Sequence, residues 1–279
     1  MNRLARRRLA NRTAAGVCLA FTLLAIFPLF SVLWEVWKRG HGVVDMEFLT
    51  SPPQPPAFPG GGIQHALVGT GIVVGLATLV GAPVGMLAGI FLSEYGRNRL
   101  GDVIRTVTDA LSGIPSIAAG LFAYAFVVSR YGFSAWAGSV ALAILMIPTV
   151  TRTTEEALRT VPQSLRDASL ALGAPRWVTT LRIVLPAAWG AVLTGLLLGV
   201  ARIAGETAPL LLTVLTSFFY STDPTQPVAT LQYLIYDYGK SAYPKLVEQA
   251  WGAALVLITG VLVLNLAVRL LARSRRRVA

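Results

Sequence analysis

Two ionisable side chains lie inside a long apolar run, where such groups are costly. Arg202 and Glu206 are four residues apart in GVARIAGETAPLL, and in a helix that spacing places them on one face. An ionisable group within a bilayer costs about 2.5–3.5 kcal/mol on insertion scales, so it must face a partner or water. The arginine can bind an oxyanion in bidentate fashion, and the carboxylate can neutralise it when no anion is present. The pattern predicts an anion-binding position, or alternatively a purely structural ion pair.

Proline-containing breaks accompany this pair. Counted from Ala187 at 1.5 Å per residue, Arg202 is about 20 Å along its span, in the outer half of the bilayer, and Pro209 loosens the outer end. An earlier span contains Gly113 and Pro115, and this proline removes a backbone hydrogen bond. A broken helix at membrane depth is tolerated where it is buried or lines a cavity. This second break is therefore either a gate element or a packing kink.

A hydrophilic stretch at residues 161–186 predicts two short helices joined by a break. Gly173 suits the left-handed residue that commonly ends a helix, Pro175 suits the first turn of the next, and Pro186 is expected to stop it. Apolar residues repeat along one side of each helix: Val161, Leu165, Ala168 and Leu172, then Trp177, Leu181 and Val184. This elbow could contact a membrane domain on one side and a soluble partner on the other. It is predicted to be a docking element, or alternatively an ordinary amphipathic loop.

The elements that position these groups are membrane spans. Of the 279 residues, 54% are hydrophobic and 13% charged, whereas soluble domains have about 25% charged residues. A span needs about 20 mainly apolar residues. Six segments qualify: Thr13–Val36, Ala66–Leu92, Ile104–Val128, Ala135–Val150, Ala187–Thr213 and Ala250–Leu271. The sequence therefore predicts an all-α polytopic membrane protein, with the first span retained rather than cleaved as a signal peptide.

The basic residues orient these spans. Arginines are concentrated before the first span, after the second, in the elbow and in the tail. On the opposite side the basic residues are Lys38, Arg39, Arg130, Lys240 and Lys245. By the positive-inside rule, both termini and the elbow face the cytoplasm. The net charge of +11 then reflects topology and contact with anionic lipid, and nucleic-acid binding is not expected.

Motifs for other classes of function are absent. No G-x-x-x-x-G-K-[ST] nucleotide motif occurs, and no Ser/His/Asp or Cys/His set supports an enzyme. The single cysteine, Cys18, excludes an internal disulfide, and His41 and His65 form no cluster that predicts a transition-metal site. Glu155 and Glu156, next to the elbow, are expected to be solvated. The chain is thus predicted to be neither an enzyme nor a cofactor-binding protein.

The elbow resembles the EAA loop of bacterial ABC-importer permeases, whose pattern is EAA, three residues, Gly, nine residues, then I-x-L-P. The matching positions are Asp167, Ala168, Ser169, Gly173, Ile183, Leu185 and Pro186, with Asp in place of Glu and Ser in place of the second Ala. The resemblance implies that residues 151–186 form a coupling loop that docks in a groove of an ATPase subunit. The ATP and magnesium would be bound by that separate subunit.

Three further stretches resemble the phosphate-importer permeases of the PstA type: ALSGIPSI, RIAGETAPLL and DPTQPVATLQ. The resemblance implies the type I, MetI-like permease fold in a bacterial inner membrane. It implies four kinds of partner besides lipid: phosphate, a sister permease of the PstC type, an ATPase dimer of the PstB type and a periplasmic phosphate-binding protein of the PstS type. The substrate path is then expected to pass Arg202, Glu206 and Thr207, with helix breaks or gates at Gly113, Pro115 and Pro209.

The expected organisation has three parts. Residues 1–64 hold the basic N-terminal segment, the first span and a Pro/Gly-rich outer linker; residues 65–272 hold a five-span permease core; residues 273–279 form a basic tail. Alternative functions are a sister permease, an importer of another oxyanion, or a membrane scaffold or sensor that conducts no substrate. A scaffold needs no ionisable pair in lipid, so Arg202 and Glu206 favour transport.

Overall fold

The computed structural model describes residues 3–217 and 219–275, and all regular elements in those residues are helices. The long helices are α1 (Arg3–Gly40), α3 (Gln64–Glu94), α6 (Ala135–Arg159), α8 (Arg176–Ile203) and α11 (Pro244–Arg275). The shorter ones are α2 (Met46–Thr50), α4 (Arg99–Ser112), α5 (Ser116–Tyr131), α7 (Gln163–Ala171), α9 (Ala208–Leu211) and α10 (Leu231–Gly239). Residues 276–279 of the predicted basic tail lie outside the described residues.

Five of these helices are long and apolar enough to cross a bilayer, and α4 with α5 makes a sixth if the bent pair is one span. The all-α, six-span prediction is therefore confirmed for the described part of the chain. Several boundaries differ from the sequence expectation, most of all in the fourth and fifth spans. The fourth span continues past Val150 to Arg159, and the fifth ends at Ile203 rather than Thr213. An even number of crossings places both ends of the chain on the same side.

Glycines bring the central helix α6 into close contact with its neighbours. A Cβ atom at Gly85 of α3 would lie 2.8 Å from the Cβ of Val150, and one at Gly195 of α8 would lie 2.5 Å from the Cβ of Thr153. Small residues allow such approach of helices in membranes, where packing rather than hydrophobic burial drives association. Gly75, on the same helix as Gly85, meets nothing within 4 Å in this chain. The core is therefore α6 held between α3 and α8.

Replacing Gly85 with alanine is expected to destabilise the protein. The added methyl group overlaps Val150, and overpacking of this kind typically costs about 1–3 kcal/mol. Gly75→Ala is the matched control on the same helix, because nothing lies within 4 Å of its added Cβ. The melting temperature of the detergent-solubilised protein measures the effect. Equal melting temperatures for the two variants would contradict this packing.

The break at Gly113 and Pro115 lies between α4 and α5, which are bent by 104° from one another. The Gly113 N–H donates to the carbonyl of Ala110 at 3.1 Å, and Pro115, with ψ of 137°, precedes the first turn of α5. On α4, an exposed apolar stripe consists of Leu100, Val103 and Val107. This spacing is typical of a helix lying in a membrane surface. The bend thus allows α4 to follow the inner surface while α5 enters the bilayer.

The first helix, α1, lies at the periphery of the structure. Its most apolar stretch has no buried residues, and its main contact is with α11. At that contact the guanidinium of Arg39 lies 5.0 Å from the centre of a Trp251 ring, a cation–π distance. A short helix, α2, and a Pro/Gly-rich stretch without regular structure then lead to α3. The first helix therefore contributes little to the buried core.

Candidate functional site

Arg202 lies in the last turn of α8, immediately before the helix breaks. The helix ends at Ile203, and the backbone N–H of Glu206 donates to the carbonyl of Ile203 at 3.2 Å in the following turn. The predicted i, i+4 pairing of Arg202 with Glu206 is therefore wrong, because Glu206 lies beyond the helix. Gly205 and Pro209 both disfavour helix continuation, which accounts for the break. No ion pair joins Arg202 to a carboxylate within residues 3–217 and 219–275.

The Arg202 side chain bonds across to the middle of α6. Its Nη1 donates to Thr149 Oγ1 at 3.0 Å. At 1.5 Å per residue, Thr149 lies about 21 Å from the outer end of α6 and about 15 Å from its inner end. Helical side chains point back toward the helix N-terminus, which for α8 is the inner end. The guanidinium therefore lies beside the middle of helix α6, although Arg202 itself is in the last turn of α8.

The electrostatic state of this position is unusual for a bilayer. Arg202 is exposed in the single chain, its guanidinium lies at the negative end of the α8 dipole, and its hydrogen-bond partner is the neutral Thr149 hydroxyl. A guanidinium has five N–H donors, so most of them are available to another acceptor. Glu206 and Thr207, in the turn between α8 and α9, are half-buried. An oxyanion would supply both the missing negative charge and the missing acceptors.

Two contacts that sequence reasoning missed hold the helix break in place. Gln232 of α10 is 1% exposed, and its Nε2 donates to the carbonyl of Ala204 at 2.5 Å. On the other side, a Cβ at Gly120 of α5 would lie 2.6 Å from the Cα of Pro209, so only a glycine admits the buried proline there. The break beside Arg202 is therefore fixed by two other helices, and a displacement of either one would displace it.

The elbow consists of α7 and the start of α8, joined at Gly173. This glycine has φ of +82°, the left-handed conformation predicted for it, and its N–H donates to the carbonyl of Leu170 at 2.9 Å. The Ala174 N–H donates to the carbonyl of Ser169 at 3.2 Å. The hydroxyl oxygens of Ser169 and Thr179 lie 2.9 Å apart, and both residues are buried. The two arms of the elbow are thus bonded to each other at the turn.

The expectation that Pro186 ends the second elbow helix is wrong. The helix continues from Arg176 to Ile203, with a π-helical turn at Thr180–Val184 just before the proline. A proline in a regular α-helix clashes with the carbonyl four residues earlier, and the wider turn makes room for its ring. Ile183 and Leu185 are half-buried in this region. The elbow is therefore continuous with the helix that ends at the membrane-embedded arginine.

Arg166 anchors the elbow to α3, a role that the sequence did not reveal. Its Nε and Nη2 donate to the two carboxylate oxygens of Glu94 at 3.2 and 2.8 Å. The side chains are only 13% and 10% exposed. The same guanidinium donates to the carbonyls of Leu158 and Val161 at 2.9 and 2.6 Å. One arginine thus ties together the ends of α3 and α6 and the first turns of α7.

Glu155 forms a second buried ionic contact, so the expectation that it is solvated is wrong. It is 4% exposed and accepts hydrogen bonds from Arg105 at 3.2 Å and Arg159 at 2.6 Å. Its helical neighbour Glu156 is exposed, as expected. The difference arises because Glu155 faces Arg105 of α4, whereas Glu156 lies on an exposed side of α6. Among the described residues no group of three His, Cys, Asp or Glu side chains could hold a metal ion.

The elbow exposes apolar side chains on the surface that faces away from the rest of the chain. Of the two predicted apolar stripes, Val161 and Val184 are buried, whereas the other residues face solvent. The exposed large ones are Leu165 (45%), Leu172 (89%), Trp177 (60%) and Leu181 (51%). Asp167 and Ala168 are exposed on the same elbow, and Asp167 accepts a hydrogen bond from Gln163 at 3.1 Å. Several large apolar side chains exposed on one short element are typical of an interaction site.

Replacing Gly173 with valine is expected to distort the elbow. At φ of +82° a β-branched side chain is strained, by about 1–2 kcal/mol or more, whereas asparagine tolerates this conformation. The Gly173→Val variant should lose most of its association with any soluble partner that recognises the elbow, and Gly173→Asn should retain it. Co-purification from membranes measures both. Equal loss in the two variants would show that side-chain size rather than backbone conformation matters at this position.

Sequence comparison identifies relatives for nearly the whole chain. Residues 81–277 match the family described as binding-protein-dependent transport system inner membrane component. The phosphate transport system permease protein PstA of Yersinia pestis is 42% identical over 272 residues, covering 97% of this chain and 92% of the relative. The phosphate transport system permease protein PstA 1 of Mycobacterium tuberculosis is 39% identical, covering 98% of this chain and 91% of the relative.

Structural comparison gives the same fold at low sequence identity. A chain of the inward-facing MetNI methionine ABC transporter superposes with a TM-score of 0.63 at 18% identity, covering 76% of this chain and 96% of that one. A chain of the bacterial alginate ABC transporter superposes with a TM-score of 0.65 at 16% identity, covering 97% and 96%. Both are ABC transporters, so the helices form the permease fold of type I importers. Together with the sequence relatives, this shows that the chain belongs to the PstA family of phosphate transport system permease proteins.

Proposed function

We propose that this chain forms half of the membrane path of an ATP-driven importer of inorganic phosphate in a bacterial inner membrane. The observation that carries the proposal is Arg202, a guanidinium beside the middle of helix α6 that hydrogen-bonds to Thr149 and faces no carboxylate in the described structure. The Yersinia pestis relative, 42% identical, is named as a phosphate transport permease. A phosphate oxyanion fits the charge and the free donors of this arginine.

The passing anion would be held only briefly. A single guanidinium neutralises part of the phosphate charge, and conduction requires binding weak enough for release. Glu206, half-buried in the turn that follows, could accept a hydrogen bond from a protonated phosphate oxygen, and Thr207 could donate one. Glu206 lies beyond the end of the helix that carries Arg202, and the two side chains form no ion pair in the described structure. Its carboxylate is therefore available to the substrate. The substrate path on this chain is therefore Arg202, Glu206 and Thr207.

Energy for transport would arrive at the elbow. The exposed apolar surface around Leu172 and Trp177 would dock in an ATPase subunit of the PstB type, with Asp167, Ala168, Ser169 and Gly173 forming the docking turn. The continuous α8 would then carry motion of the elbow to Arg202, and the breaks at Pro115 and Pro209 would serve as gates. A sister permease of the PstC type would complete the path. A periplasmic protein of the PstS type would deliver phosphate.

Co-purification tests the docking part of this proposal. We expect the tagged chain to bring down a sister permease and an ATPase from membranes, and Leu172→Glu to lose the ATPase while keeping the permease. The reason is that Leu172, 89% exposed on the elbow, would place a carboxylate inside an apolar contact. Phe219→Glu is the control, since Phe219 is an apolar residue of similar exposure, 83%, at the other side of the membrane.

The proposal requires that Leu172→Glu lose the ATPase and that its control, Phe219→Glu, retain it. ATPase retained by Leu172→Glu and Gly173→Val would place the motor contact elsewhere on the chain. ATPase lost equally with Phe219→Glu would indicate a general assembly defect rather than a docking surface.

A further inference from the structure

A large cavity opens at the inner ends of the helices, apart from the proposed substrate path. Its volume is about 1000 Å³, and it lies between the end of α3, the start of α4, the end of α6 and the elbow. Its walls carry apolar groups such as Phe91 and Leu170 together with hydroxyl groups such as Thr160 and Thr180. By the topology of the spans, it faces the cytoplasm.

The lining of this cavity is strongly basic. Five arginines contribute to it: Arg97, Arg105, Arg159, Arg166 and Arg176. Glu94 is the single carboxylate among the described residues of the lining. A concave site lined by one sign of charge focuses the electrostatic potential and concentrates counter-ions. The cavity should therefore attract anions.

Three of the five arginines already have carboxylate partners. Glu94 pairs with Arg166, and Glu155, behind the wall, pairs with Arg105 and Arg159. Arg97 and Arg176 are exposed, and their guanidinium groups have no hydrogen-bond or ionic partner in the part of the chain that the structure describes. They enter the cavity from two different walls, the α3–α4 turn and the start of α8. Two free guanidinium groups thus line one polar cleft.

We infer that this cavity binds a phosphate group through Arg97 and Arg176. Guanidinium groups match phosphate oxygens in bidentate geometry, and a cleft of this size admits a free phosphate ion or the headgroup of an anionic phospholipid. Both sources share the same chemistry at a cytoplasmic membrane surface. A phosphate bound between the two arginines would connect the α3–α4 turn to the elbow and restrain their relative movement. Binding does not depend on the proposed transport function, whereas any effect on transport rests on it.

The test uses the assembled transporter and two double variants. Arg97→Gln with Arg176→Gln removes the two free guanidinium groups. Arg99→Gln with Arg182→Gln is the matched control, because these exposed arginines lie on the neighbouring turns but do not line the cavity. In nanodiscs of phosphatidylcholine without ATP, equilibrium binding of radiolabelled inorganic phosphate is measured. In membranes containing phosphatidylglycerol, the retained lipid is counted by native mass spectrometry.

We expect the cavity variant to show a loss in one arm of the experiment. Either its affinity for phosphate falls at least about tenfold, the equivalent of one charge-assisted contact, or it retains less phosphatidylglycerol than the wild type. Loss in the phosphate arm identifies a cytoplasmic phosphate site, and loss in the lipid arm identifies a headgroup site. Unchanged binding in both arms, or equal loss in the control, overturns the inference. Arg97→Lys with Arg176→Lys keeps the charge and should show a smaller loss, which separates recognition from misfolding. Since no ATP is present, failure of transport leaves this result intact.

Discussion

Replacing Arg202 with alanine is expected to lower phosphate uptake at least about tenfold while the chain still assembles in the membrane. Hydrogen bonds to a charged partner contribute about 1.5–3 kcal/mol, so the loss of the proposed contact between Arg202 and phosphate would lower the rate at least about tenfold. Assembly should persist because the guanidinium is exposed in this chain and makes one hydrogen bond, to Thr149. Removing the guanidinium should also favour insertion of the helix, because a cation within a bilayer is unfavourable.

Three companion variants separate charge from geometry at this position. Arg202→Lys keeps the charge but loses the bidentate fork, so its uptake should lie between those of the wild type and the alanine variant. Thr149→Val removes only the acceptor that orients the guanidinium and should have a smaller effect. Arg130→Ala, an exposed cation at the outer end of α5, should leave uptake unchanged. Normal uptake of labelled phosphate by cells with Arg202→Ala would show that the substrate does not depend on this arginine.

Replacing Glu94 with glutamine is expected to uncouple ATP hydrolysis from transport. The Arg166–Glu94 pair is bidentate and nearly buried, and removing one partner of such a pair costs about 3–5 kcal/mol because the other charge is left uncompensated. The elbow would then lose its connection to α3, so its motion would no longer be transmitted to that helix. The ratio of phosphate moved to ATP hydrolysed should fall severalfold in the reconstituted transporter.

A control and a double variant make this second result specific. Glu156→Gln neutralises an exposed carboxylate one position after the buried Glu155 and should leave the ratio unchanged. Glu94→Gln combined with Arg166→Gln should cost less than the sum of the two single changes, because neither charge is then left alone. A fall in thermal stability with an unchanged transport ratio would show that the pair stabilises the fold but does not couple the elbow to α3.

The sequence predicted those features that depend on local rules. Apolar length gave the six spans, Gly173 gave the left-handed turn of the elbow, and Pro115 gave the break between α4 and α5. Each of these depends on a residue and its immediate neighbours in the chain. Local reasoning failed at Pro186, where a π-helical turn accommodates the proline without ending the helix.

The remaining features depend on contacts between distant residues. Arg202 finds its partner 53 residues away on α6, and Arg166 finds Glu94 at a separation of 72 residues. Glu155 is buried only because α4 folds back across its face of α6. No periodicity or spacing in the sequence encodes such pairs. Predicting them would have required knowledge of how the helices pack against one another.

ATP-driven accumulation of phosphate in sealed vesicles tests the central claim most directly. Vesicles are reconstituted with this chain, its sister permease and the ATPase, and the phosphate-binding protein with labelled phosphate is placed on the periplasmic side. The account predicts accumulation that needs ATP, exceeds that of labelled sulfate and disappears with Arg202→Ala. ATP hydrolysis without accumulation, or equal accumulation when this chain is omitted, would contradict it.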